Sequence, residues 1–177
     1  MMIAYRWASE NDIPAIAALM DRAIAMLQND VLTPAQVVAS HQVMGLDRQL
    51  VSDGTYLVAE IDGLLAGCGG WSRRATLFGG DAGVVPRDAR MLDPAREPAR
   101  IRAMYTDPAH VRRGIGGTIL RTCEDAARGA GFARAELMAT LAGVPLYRAC
   151  GYTEVEAFAA DVDGIAVPMM RMARALV

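Results

Sequence analysis

Thr106 to Arg128 reads TDPAHVRRGIGGTILRTCEDAAR, and it joins the end of an apolar strand to the start of an amphipathic helix through a turn of glycine and arginine. Gly114, Gly116 and Gly117 carry no Cβ, so the backbone there can take unusual angles and a ligand can press against bare peptide N–H groups. The helix beginning near Ile115 aims its unpaired N–H groups and the positive end of its dipole back at the turn, an arrangement that favours phosphate. The dipole contributes about 0.3–1 kcal/mol near a surface, so Arg112 and Arg113 supply much of the remaining attraction. The expected ligand of this turn is an anion.

Outward from it, the strand leading in is Ala99 to Thr106, and the helix runs to Arg128, closed by Gly129 and Gly131. Ala133 to Ala139 is a strand, Leu141 to Ala149 a short helix and Tyr152 to Phe158 another strand. Asp163-Gly164 then turns the chain into a last strand from Ile165 to about Ala173. On the N-terminal side, Ile3 to Trp7 is a first strand, and Ser9 with Glu10 and Asp12 opens a helix that reaches about Gln28. Thr33 caps a second helix, with Pro34 at its first position, to about Met44. Thr55 to Ile61 and Leu64 to Arg73 flank Asp62-Gly63, a strong hairpin signal. Leu77 to Ala99, with three glycines and three prolines among Asp and Arg, is a long connection that reads equally as a solvated excursion or a substrate lid. The pattern predicts one α/β (α+β) domain over 1–177, a mixed and mostly antiparallel central sheet flanked by helices.

Composition narrows the function classes. With 177 residues, 53% hydrophobic content and 21% charge, the chain describes an ordinary globule with room for a sizeable core. A formal net charge of -2 gives no electrostatic case for nucleic acid. Arg6, Glu10 and Asp12 interrupt the first twenty residues, which therefore read as neither leader nor membrane span, and the default compartment is the cytoplasm. Cys68, Cys123 and Cys150 show no paired or metal-ligand spacing and read as buried small hydrophobes. All 18 basic residues are arginine. Without lysine there is no Walker phosphate loop, pyridoxal phosphate anchor or Schiff-base chemistry.

Three phosphate-binding readings compete for the glycine turn. A dinucleotide fingerprint would need glycine where Ile119 stands, which disfavours a nicotinamide-dependent oxidoreductase. The Walker reading fails for want of lysine. The third is an acyl-CoA loop. MYTDPAHVRRGIGGTIL at Met104 to Leu120, followed by GVPLYRACGY at Gly143 to Tyr152, resembles the GNAT superfamily of acyl-CoA-dependent N-acetyltransferases. The order of elements over nearly the whole chain is similar as well. Arg112, Arg113, Gly114, Ile115, Gly116, Gly117 and Thr118 lie on the family's pyrophosphate loop, while Val111 stands where Gln or Arg is usual.

The resemblance implies acetyl-CoA as co-substrate and a small-molecule or peptide amine as acceptor. It implies that Met104, Tyr105 and Thr106 offer main-chain groups to the pantetheine arm and the thioester carbonyl, with plain ladder pairing as the other reading. It places Tyr147 as the acid that protonates the departing sulfur, against a purely packed tyrosine, and Thr140 where the family often has Asn. A phenol is protonated near neutral pH and is a sensible donor. No general base declares itself: Glu60, Glu136 or a water relay are the candidates, His110 reads as a turn residue and His41 as a helix-face residue. Trp71, Arg73 and Arg74 are candidates for the acceptor wall, and the arginines from Arg87 to Arg100 would suit an anionic acceptor. Met169, Met170 and Met172 complete a core or a homodimer seam. A non-catalytic acyl-CoA-binding module with the same fold is the alternative.

Overall fold

A computed structural model describes residues 1–177. The elements in chain order are β1 (Ile3–Trp7), α1 (Ile13–Met26), α2 (Pro34–Ser40), α3 (Arg48–Ser52), β2 (Tyr56–Ile61), β3 (Leu64–Ser72), β4 (Ala99–Thr106), α4 (Ile115–Gly129), β5 (Arg134–Thr140), α5 (Val144–Ala149), β6 (Thr153–Val162) and β7 (Ile165–Ala175). They form one seven-stranded sheet in the order β1-β2-β3-β4-β5-β7-β6. Every neighbouring pair is antiparallel except β4 and β5.

Both faces of the sheet are covered, and the period-two alternation of the strands distributes the apolar side chains between them. On β2, Leu57, Ala59 and Ile61 join α4 residues Ile115, Ile119, Leu120 and Cys123 in the larger core. Tyr56 and Val58 point the other way, into a core with Ile16, Leu19, Met20 and Ile24 of α1. Each fully buried Ile or Leu contributes about 1.5–3 kcal/mol, so α4 is fixed to the sheet by one apolar stripe. That fixes the glycine turn at its N-terminus.

Most boundaries follow from local chemistry. Thr33 accepts the Gln36 amide while the Gln36 side chain accepts the Thr33 amide, a reciprocal cap that starts α2. Both Asp-Gly hairpins hold positive φ at their two central residues, Asp62 and Gly63, and Asp163 and Gly164, as a type I′ turn requires. Two expected bounds are corrected and one unexpected helix is added. The helix expected from Thr33 to Met44 stops at Ser40, whose hydroxyl donates to Val37 O. A five-residue helix, α3, follows Asp47, whose carboxylate accepts the Gln49 amide. β6 runs on to Val162, pairing with β7 throughout.

Candidate active site

The strands part where the parallel pair begins. β4 and β5 are in register only at Ala99 with Ala135 and Arg100 with Glu136. From Ile101 to Thr106 the edge of β4 that faces β5 has no ladder partner, so its outward main-chain groups are left for another ligand. A bulge sharpens the split. Between Cys68 and Gly70 of β3, β4 has an extra residue, and Ala103 takes φ +50. The Ala103 carbonyl accepts the buried Tyr56 hydroxyl at 2.6 Å, a bond that holds the bulge in its left-handed turn. Glycines make room behind it: a Cβ on Gly69 would stand 2.2 Å from the Met104 sulfur, and one on Gly67 2.5 Å from Ile115 Cγ2.

Beyond β4, Asp107 accepts the Ala109 amide and starts a short turn over Pro108–His110. Gly114 has φ +79, and a Cβ there would meet nothing within 4 Å. No side chain caps α4, and its first internal bond is Thr118 N–H to Gly114 O. The amides of Ile115, Gly116 and Gly117 therefore lack intrahelical partners. At Gly116 a Cβ would stand 3.0 Å from Leu146 Cδ2, so the wall of the cradle on that side is α5.

Tyr147 lies on α5, edge-on to Tyr152 with ring centroids 5.9 Å apart. It is buried, and its hydroxyl has no protein partner yet is not sealed off, so it opens onto the cavity it lines. Burial pushes its pKa well above that of a free phenol, and the group keeps its proton throughout the neutral range. Thr140 turns the chain toward α5: its hydroxyl accepts the Gly143 amide at 3.1 Å.

One cavity of about 950 Å³ brings these features together, walled by Met104, Tyr105, Thr106, Arg112, Gly114, Ile115, Gly116, Gly117, Thr140 and Tyr147. Two residues of the loop stand apart from that wall. The Arg113 guanidinium rests on the Met1 sulfur, and Thr118 is bonded within α4, with Arg121 donating to its hydroxyl. The Tyr105 hydroxyl accepts the amide of Gly45, which lines the same cavity.

The candidate bases do not reach this wall. Glu60 is paired to Arg6 at 2.6 Å, and Glu136 is shared by Arg100 and Arg171. Trp71 packs edge-on to Phe132 under the Arg73 guanidinium, and Arg74 is bonded to Asp53; none of the three lines the cavity. Its far end is instead built by Ile24 of α1 and Leu27 just after it, by Val43 and Met44, and by Leu77 and Phe78. Asp30 and His110 also border the cavity, and His110 Nδ1 is enclosed without a partner. The sequence carried little sign of these. Met169 is buried and lines the cavity. No cluster of three or more His, Cys, Asp or Glu is arranged to hold a metal, and no helix is long and apolar enough to cross a membrane.

A seven-stranded sheet that splits beside an amide cradle defines an α/β acyltransferase architecture. Residues 17–152 match the model of the acetyltransferase (GNAT) family, and the chain belongs to that family. Among solved structures, a GCN5-related N-acetyltransferase from Rhodopseudomonas palustris aligns with TM-score 0.71 at 16% identity, over 99% of this chain and 96% of that one. The Salmonella typhimurium protein yncA, solved with its cofactor acetyl-CoA, aligns with TM-score 0.66 at 19% identity over 100% and 95%. The PaiA N-acetyltransferase of Thermoplasma acidophilum, in complex with coenzyme A, gives 0.63 at 15% identity over 99% of each chain. No curated protein sequence matches the chain.

Proposed function

We propose that the protein transfers an acetyl group from acetyl-CoA to a primary amine, directly and with both substrates bound. The observation that carries this reading is the single cavity shared by the free amides of the glycine turn, the unpaired edge of β4 and the hydroxyl of Tyr147.

The residues fit a coenzyme A diphosphate. Gly114 leaves open space where any other residue would put a side chain, and three amides point out of a helix N-terminus. Arg112 adds a cation on the same wall. Acetyl-CoA, when bound, supplies the activated acetyl group as a thioester. The unpaired main chain of Met104 to Thr106 lies beside that path, and an N–H directed at a carbonyl oxygen stabilises the charge that develops there. Tyr147 holds a proton at its phenolic oxygen and donates it to the sulfur as negative charge accumulates. An amine arriving neutral, or through water, needs no carboxylate base on this wall. Holding thioester and amine together supplies much of the acceleration.

Tyr147→Phe tests the assignment. Acetyl-CoA, a mixed amine panel and a thiol-detecting reagent should show turnover falling about 10²-fold or more, with coenzyme A affinity nearly intact. Unchanged turnover would assign Tyr147 to packing. A wild-type protein that binds acetyl-CoA but frees no thiol above hydrolysis would be a binding module.

A further inference from the structure

The charge inventory of the cavity's far end speaks to the acceptor. We infer that this end takes amines with an apolar body and excludes amines that carry a carboxylate or phosphate; the inference rests on the acyl-transfer reading above. Leu27, Val43, Met44, Leu77 and Phe78 give it an apolar wall. Four side chains of the cavity wall can carry charge: Asp30, Arg102, His110 and Arg112.

Arg112 belongs to the glycine turn, and His110 to the turn just before it, which packs against α1 at the edge of the apolar wall and away from Leu77 and Phe78 in the chain. Arg102 is only 4% exposed, and its guanidinium is already committed. It donates to Asp47 at 2.8 Å, to Gly79 O at 2.8 Å and to Thr76 O at 3.3 Å. An incoming anion would have to compete with a buried carboxylate for it. Asp30 is exposed at the rim, so the remaining fixed charge there is negative.

The loop arginines lie off the cavity wall. Arg87 is paired with Asp47 and Asp81, Arg90 with Glu97, Arg96 with Asp93 and Arg100 with Glu136. None of the four lines the cavity. A carboxylate on the acceptor would lose hydration against Leu77 and Phe78 with no counter-charge, which strongly disfavours it. An apolar body gains on the same surface.

Hexylamine and 6-aminohexanoate separate the cases, because they offer the same nucleophile on chains of equal length and differ at the distal end. With saturating acetyl-CoA, kcat/KM for thiol release should be at least about tenfold higher for hexylamine, a difference of about 1.4 kcal/mol. Leu77→Arg supplies the missing cation and should narrow that gap by at least about threefold without altering coenzyme A affinity. Equal or faster use of 6-aminohexanoate by the unaltered protein would overturn the inference and leave acyl transfer standing. If neither amine releases thiol, calorimetry on the coenzyme A complex decides. Tighter binding of hexylamine would uphold the inference and leave the transferase reading to the mixed amine panel, and equal or tighter binding of 6-aminohexanoate would refute the inference itself.

Discussion

Tyr56→Phe removes one oxygen from the interior and tests whether the β4 bulge serves the chemistry. The Tyr56 hydroxyl donates to Ala103 O at 2.6 Å, and Tyr56 is 2% exposed. A buried carbonyl left without its donor costs about 1–3 kcal/mol. Ala103 holds φ +50, a left-handed conformation that costs a residue with a Cβ about 1–2 kcal/mol. Without the tether this strain favours relaxation of the bulge. Taking about 2 kcal/mol for the lost bond, the thermal midpoint should fall by about 4–8 °C in a domain of this size. The same loss lowers the ratio of bulged to relaxed strand by about 30-fold. If Met104 to Thr106 present their main chain to the acetyl group, kcat should drop by a similar factor. The cradle at α4 is untouched, so coenzyme A affinity should stay within about threefold. Steady-state thiol release and calorimetric titration with coenzyme A read the two quantities separately. A variant that loses the expected stability yet keeps its kcat would show that the Tyr56 bond only holds the core together, and the reasoning would fail.

Further outcomes follow from the same geometry. Gly116→Val, whose Cβ would stand 3.0 Å from Leu146 Cδ2, should weaken coenzyme A binding by at least about tenfold in a calorimetric titration, and unaltered affinity would refute the cradle. Gly67→Ala puts a methyl 2.5 Å from Ile115 Cγ2 and should cost about 1–3 kcal/mol in urea unfolding, lowering coenzyme A affinity as α4 shifts. Alkaline pH should destabilise the fold: burial pushes the Cys68 and Cys123 thiols from 9.0 up to about 12, so below pH 9 both states keep these protons. Between about pH 9 and 12 only the unfolded chain releases them, and stability should fall by about 1.4 kcal/mol per pH unit for each thiol. Urea midpoints at pH 8 and pH 10.5 measure the slope, which Cys68→Ala with Cys123→Ala should flatten.

Much of this architecture was legible because it is local. The strand at Ala99 to Thr106 and the helix from Ile115 are fixed by residue pattern and by glycine, and both appear where the pattern places them. The two Asp-Gly hairpins likewise follow from turn chemistry that four residues determine. α3 escaped because five residues carry too little periodicity, although Asp47 was a readable cap. The acceptor end was hidden for a different reason. Ile24, Leu27, Val43, Leu77 and Phe78 come from three separated segments, and only the packing of α1 and the long connection around the sheet brings them together. Glu60 and Glu136 show the converse, since strand position alone could not reveal that arginines from distant segments neutralise them.

The long connection between β3 and β4 shows how a segment without regular structure is nonetheless held. It contains neither helix nor strand and makes one isolated bridge, Arg74 to Met91. Arg102 reaches from β4 into its carbonyls at Thr76 and Gly79, and Asp47 binds Arg102 and Arg87 together at 2.8 Å and 2.6 Å. Phe78 closes the far side against Phe158 of β6, with ring centroids 5.5 Å apart. Because both ions of the Arg102 pair are buried, removing either leaves an uncompensated charge, a loss of about 3–5 kcal/mol. The connection is thus anchored through the strand that borders the split, which makes it a standing wall rather than a solvated excursion. Of the arginines that made its sequence look like an anion trap, Arg87 is spent on building that wall through Asp47 and Asp81.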